Sequence, residues 1–166
     1  MATLNSTLYL STTSTSNPPL AFTDKANVSW LVDWDNLFHG RSGLCKVHTN
    51  LISKSATVGA ITTSWSSLIG TVRANLQSNY SLNQNGLVLA NMNPNCVGVS
   101  TTVLYFSAVS EGSKAPLINI PEGKSTLNIQ LMDMTETAFI SGMPEYEIML
   151  VFEWVSHDVI NKSITK

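Results

Sequence analysis

Apolar and polar residues alternate with a period of two through most of this chain. Between Asn27 and Lys54, Val28, Trp30, Val32 and Trp34 alternate with Ser29, Leu31, Asp33 and Asp35. After a polar connection, Cys45, Val47, Thr49 and Leu51 alternate with Lys46, His48, Asn50 and Ile52. Period two sends the members of each set to opposite faces of a sheet, one apolar and one mostly polar. Asn36, Gly40, Ser42 and Gly43 lie between the two strands and are residue types that let a chain reverse. Further strands are predicted along the chain. In the stretch 68–77, Leu68, Gly70, Val72, Ala74 and Leu76 face one way, while Thr71, Arg73, Asn75 and Gln77 face the other. Asn85-Gly86 is a turn signal that opens a short strand to Met92. Val97 to Ala108 is apolar on both faces, as in a strand covered on both sides or meeting a partner. A brief strand over 116–120 and a seventh carrying Leu127, Ile129 and Leu131 follow. In the last, Tyr146, Ile148, Leu150, Phe152 and Trp154 oppose Glu145, Glu147, Met149, Val151 and Glu153.

Eight short strands with turn signals between them, and no helix, predict an all-β sandwich. Eight strands in two sheets fit a single jelly roll best. An immunoglobulin-like sandwich fits less well, because the only tryptophan between Cys45 and Cys96 is Trp65, in a Ser/Thr-rich stretch. The expected organisation is an extended N-terminal arm over 1–24, a jelly-roll body over 25–156 and a polar tail over 157–166. Within the arm, Leu8, Tyr9 and Leu10 suit a short edge strand, and Pro18-Pro19 keep the chain extended. The predicted core draws Trp30, Trp34, Val47, Leu51 and Val72 from the early strands. To these the late strands add Leu127, Ile129, Leu131, Ile148, Leu150, Phe152 and Trp154.

Composition narrows the classes of function. The 166 residues are 43% hydrophobic but only 12% charged, about half the usual charged share. Ser, Thr and Asn take the place of the charges. Neutral polar groups cost less to desolvate than ions, so such a surface suits contact with other proteins, and equally suits a turn-rich β protein. The formal net charge of −2 and nine scattered Lys and Arg residues argue against a grip on nucleic acid. No apolar run approaches the ~20 residues that span a bilayer, and no secretory signal is visible. Two cysteines are too few for a disulfide framework, and reduced thiols are expected.

Catalytic patterns are weak. His39, His48 and His157 fall in a turn, on a polar strand face and in the tail, with no His-x-His or Cys-x-x-Cys pair. No metal site or cofactor is therefore expected. No Gly-x-Ser-x-Gly elbow is present. Asp33 with Asp35, and Glu145, Glu147 and Glu153, are carboxylates on shared strand faces, a spacing of about 7 Å that glycoside hydrolysis can use. A solvated or partner-facing surface is the simpler reading, and no catalytic residue is assigned. Trp65, alone in a polar connection, and Tyr80 are the candidate exposed contacts.

One likeness bears on function. Trp30, then Trp34-Asp35-Asn36-Leu37-Phe38, then Gly43-Leu44-Cys45-Lys46-Val47 and Leu51-Ile52-Ser53 resemble the opening strand pair of small single-jelly-roll capsid proteins. These belong to large icosahedral double-stranded DNA viruses and their smaller relatives, as minor capsid or vertex (penton) components. The resemblance covers about the first third of the folded part and carries over no catalytic residue. It implies a structural virion protein, assembled inside the host cell and not secreted, with other capsid proteins as partners in a homo-oligomer or hetero-assembly. A carbohydrate- or receptor-binding β-sandwich of fibre or adhesion type is the alternative, with Trp65 and Tyr80 as its contacts.

Overall fold

The segment ahead of residue 24 supplies the first strand of the body. The computed structural model describes residues 5–53, 56–57, 70–78, 86–93, 103–104, 107–110, 115–133, 135, 137–140, 143 and 145–155. Strand β1 (Asn5–Ser11) pairs antiparallel along its whole length with the last strand, β11 (Tyr146–Trp154), from Asn5 opposite Glu153 to Ser11 opposite Glu147. The N-terminal arm expected over 1–24 is thus corrected. Its Leu8–Leu10 strand is longer than foreseen, and Leu10 is 1% exposed, so burying this side chain seats the segment in the sheet. The expected C-terminal tail, 157–166, lies outside the described residues.

The chain then runs through β2 (Asn27–Asp33), α1 (Trp34–Phe38), β3 (Leu44–Ser53), β4 (Ala56–Thr57), β5 (Gly70–Ala74) and β6 (Leu87–Asn93). It continues through β7 (Val103–Leu104), β8 (Ser107–Val109), β9 (Leu117–Asn119) and β10 (Lys124–Asp133) into β11. The strand order is β1-β11-β3-β8-β6-β5-β10-β2, every pair antiparallel, with β9 on β3 and a separate β4–β7 pair. Only two residue pairs, Met92 with Ala108 and Asn93 with Ser107, join β6 to β8, and there the path folds over into two layers. One layer is β1-β11-β3-β8; the other is β6-β5-β10-β2. Counting these eight strands in chain order, the layers read first-eighth-third-sixth and fifth-fourth-seventh-second. This is the jelly roll, in which successive strands cross between layers, except the fourth and fifth (β5 and β6), which pair directly.

The eight strands differ in one member from those the alternation predicts. The segment 116–120 contributes β9, which lies off the main path and extends the edge of β3 beside β8. β1 takes its place in the roll. The long strand expected over 97–108 is divided among the described residues: Val103–Leu104 pairs with Ala56–Thr57, while Ser107–Val109 joins the main sheet.

A helix interrupts the pattern where alternation predicts continuous strand. The Asp33 carboxylate accepts from the backbone N–H of Asn36 at 3.1 Å, capping α1, and His39 (φ 54°) with Gly40 (φ 70°) ends it in the left-handed region. Trp34 is buried as predicted, but on this helix turn and not on a strand. Its Nε1–H donates to Ser125 Oγ at 2.7 Å.

Both layers turn their apolar sides into one core. Val28, Trp30, Val32, Val72, Leu127, Ile129 and Leu131 come from one layer. Leu10, Val47, Leu51, Ile148, Leu150 and Phe152 come from the other. At one end Phe152 lies edge-on to both Trp34 (centroids 6.1 Å apart) and Phe38 (5.2 Å), which fastens α1 to β11. Trp154, predicted as core, is only half-buried and packs against the cluster from outside. It stands at the end of β11, where the sandwich opens.

Candidate functional site

The layer β1-β11-β3-β8 presents an outer face on which polar positions are expected, yet several are large and apolar. Strand register aligns Tyr9, Met149, Asn50 and Val109 in one row across four strands. At about 4.8 Å per strand this row is about 14 Å long. Tyr9 is 55% exposed, Val109 60% and Met149 36%. Ile52, 55% exposed, stands one row away, opposite Glu147 and Ser107. These residues belong to different strands separated by up to 140 positions, and only the jelly-roll pairing brings them together. Met149 and Ile52 were legible as apolar members of otherwise polar strand faces; Tyr9 and Val109 were not.

Ion pairs lie to either side of the row. At the α1 end His48 Nε2 is 2.8 Å from Glu153 Oε2, with Lys46 opposite Glu153. At the other end Lys25 Nζ is 2.9 Å from Glu145 Oε1, and Thr12 Oγ1 also donates to Glu145. Between these, the Tyr9 phenol donates to the Glu147 carboxylate; this hydrogen bond first, then burial and the carboxylate charge, raises the phenol above its ordinary pKa. The row is thus apolar at Tyr9, Met149 and Val109, with Asn50 within it and Glu147 beside it, between charged margins.

The opposite outer face is mostly neutral polar, with an exposed Leu31 opposite Thr126 and the Asp33–Lys124 pair at one end. Asn128 Nδ2 donates to Asn27 Oδ1 (2.8 Å) and Ser29 Oγ (2.9 Å), its N–H donates to Asn75 Oδ1 (2.8 Å), and Asn75 Nδ2 donates to the Thr126 carbonyl (2.9 Å). Arg73 occupies an outward register position but is fully buried, its Nε–H donating to Thr71 Oγ1 at 3.1 Å.

The candidate carboxylates are engaged by neighbours. Asp33 caps α1 and meets Lys124 Nζ at 3.2 Å; the Asn36 N–H and then Lys124 hold it below the ordinary carboxylate pKa. Asp35 Oδ1 accepts from the Gly123 N–H at 2.8 Å. The spacing therefore places Asp33 and Asp35 at a helix start, serving backbone and lysine. Cys45 is buried, and burial pushes its thiol up to about 12. Among the described residues, no three His, Cys, Asp or Glu side chains gather as a metal site would require, and no helix is long and apolar enough to cross a membrane. Trp65 and Tyr80, the candidate exposed contacts, lie outside the described residues, as do His157 and Cys96.

A cleft of about 310 Å³ opens at the α1 end of the sandwich. Phe38, Cys45, Ile120, Phe152 and Trp154 form its apolar wall, and Asn5, Ser6, His39 and Arg41 its rim. Its frame is tied by the Ile120 N–H donating to the Gly43 carbonyl (2.8 Å), the Val155 N–H to Leu44 (3.0 Å) and Ser6 Oγ to the Leu37 carbonyl (2.9 Å). A second cleft of about 280 Å³ shares Ile120 and is lined mainly by neutral polar groups, among them Asn75, Gln77 and Asn119. No protein-family model matches the chain, and no curated protein matches it.

Proposed function

We propose that this protein is a structural subunit of an icosahedral virion, a single jelly roll that acts through protein–protein contacts at a five-fold vertex or as cement within the shell. The observation that carries the reading is the row Tyr9–Met149–Asn50–Val109, apolar at three of its four positions, with Ile52 beside it, on the outer face of a jelly-roll sheet. Four large apolar side chains grouped on one exposed strand face suit a surface that a partner covers. The low charge of the chain supports the same reading, because a neutral polar surface is cheap to dehydrate over a wide contact. So does the resemblance of residues 30–53 to single-jelly-roll capsid proteins. Closed rings of identical subunits need two different complementary patches, and a jelly roll offers two chemically distinct outer faces.

The test is the oligomeric state of the purified chain, measured by light scattering after size exclusion and by native mass spectrometry. A pentamer is expected of the vertex role, and Met149→Lys with Val109→Glu should reduce it to a folded monomer with an unchanged far-ultraviolet spectrum. A chain that stays monomeric at about 100 μM and binds no shell protein of the same virion overturns the proposal.

A further inference from the structure

The cleft beside α1 has a chemistry that the assembly role does not use. Its wall is made of the aromatic rings of Phe38, Phe152 and Trp154 with Ile120, while Arg41 and His39 stand on its rim. Among the described residues no carboxylate lines it, and no ion pair engages Arg41. The site is therefore an apolar slot with a cationic mouth. At about 310 Å³ it is at the small end of ligand pockets, which combine apolar walls with a few polar groups that fix orientation.

The parts are built in and not left over from loose packing. The Arg41 N–H donates to the Phe38 carbonyl (3.2 Å) and the Gly40 N–H to Asp35 (2.9 Å), so the left-handed turn at His39 and Gly40 sets the arginine directly beyond the aromatic wall. Trp154 lies over Gly43: a Cβ there would come within 3.5 Å of the indole ring. Phe38 and Phe152 hold each other edge-on with ring centroids 5.2 Å apart. A guanidinium binds a carboxylate through two parallel N–H donors, and the aromatic wall removes an attached hydrocarbon from water.

We propose that this cleft binds a small carboxylate with an apolar body, Arg41 taking the carboxylate and Phe38, Ile120, Phe152 and Trp154 taking the hydrocarbon. The charge of the rim selects the anion: a neutral alcohol of the same length loses the Arg41 contact, and an alkylammonium is repelled. This inference is independent of the oligomeric state, because none of the outer-face residues Tyr9, Ile52, Val109 or Met149 lines the cleft.

Octanoate, 1-octanol and octylammonium are titrated into the full-length protein by calorimetry, with tryptophan fluorescence followed in parallel. Octanoate is expected to saturate with a dissociation constant on the order of 0.1–1 mM, a fair yield for about ten non-hydrogen atoms. Octanol should bind about three- to tenfold more weakly, and octylammonium should not saturate. Arg41→Gln, at an exposed position where folding is not at stake, should weaken octanoate by about three- to tenfold and leave octanol unchanged. Trp154→Phe should abolish most of the fluorescence change while calorimetric binding stays within about threefold. The proposal is overturned by failure of octanoate to saturate, by octylammonium binding as well as octanoate, or by Arg41→Gln and wild type binding octanoate equally.

Discussion

Tyr9 and Leu10 are consecutive in the chain and opposite in environment, 55% and 1% exposed, so replacing each in turn tests whether the N-terminal segment is strand or arm. Leu10 sits across from Ile148 on β11 and belongs to the main core cluster. Truncating a buried leucine to alanine removes its transfer free energy and leaves a cavity, together about 2–5 kcal/mol. β1 lies at the end of the sheet path, where the chain can partly collapse into the space, so we take about 3 kcal/mol for Leu10→Ala. For a chain of this size that lowers Tm by roughly 6–12 °C. Tyr9→Ser removes an exposed ring and one hydrogen bond to Glu147, and should cost less than about 1 kcal/mol. Urea unfolding followed by fluorescence measures both, with the slope checked for constancy so that midpoints can be compared. If Leu10→Ala lies within about 0.5 kcal/mol of the parent, β1 is not seated in the sheet, and the jelly-roll assignment of the first strand fails with it.

Phe152 should be the aromatic link between α1 and β11: Phe152→Leu and Phe38→Leu are each destabilising, and a double-mutant cycle should return a coupling of about 1 kcal/mol. A coupling near zero would mean that the helix is not docked through these rings. Gly70→Ala would bring a Cβ to 1.9 Å from the Met132 carbonyl oxygen, so β5 must move away from β10; a loss of more than about 3 kcal/mol, or no soluble protein, is expected. Tyr146→Phe should be neutral or stabilising, because the buried hydroxyl has no hydrogen-bond partner among the described residues; a loss above about 1 kcal/mol would reveal one. Cys45 makes stability fall in alkali. Both states hold the thiol proton below pH 9, but above it the unfolded chain releases the proton while the folded chain keeps it to about 12. The loss should approach ~1.4 kcal/mol per pH unit within that window, and Cys45→Ala should remove this contribution from the unfolding curves.

The strands themselves were readable from the residues, because alternation is imposed by the backbone one residue at a time. The inward sides of β3 and β11 follow it position by position, from Cys45 to Leu51 and from Tyr146 to Phe152. It failed at Trp34, where a buried aromatic suits either a continuing strand or a first helical turn. What chose the turn was the Asp33 cap and the left-handed His39-Gly40 pair, which are compatible with a loop as well. It was only partly met at Trp154, whose inward parity is correct but which lines the open cleft beside α1 and so stays half-buried.

Pairing was a different matter. That Asn5–Ser11 is the first strand of the roll, and that the segment 116–120 is not one of the eight, depends on which edge of β11 and β3 each strand joins. That choice is decided by burial across more than 130 intervening residues for β1 and about 70 for β9, and no local pattern records it. The same long-range pairing sets Tyr9, Met149 and Val109 in one row and brings Arg41 to the mouth of an aromatic slot. Which residues turn inward is a short-range property of a β chain; which ones become neighbours is settled only when the two layers close on each other.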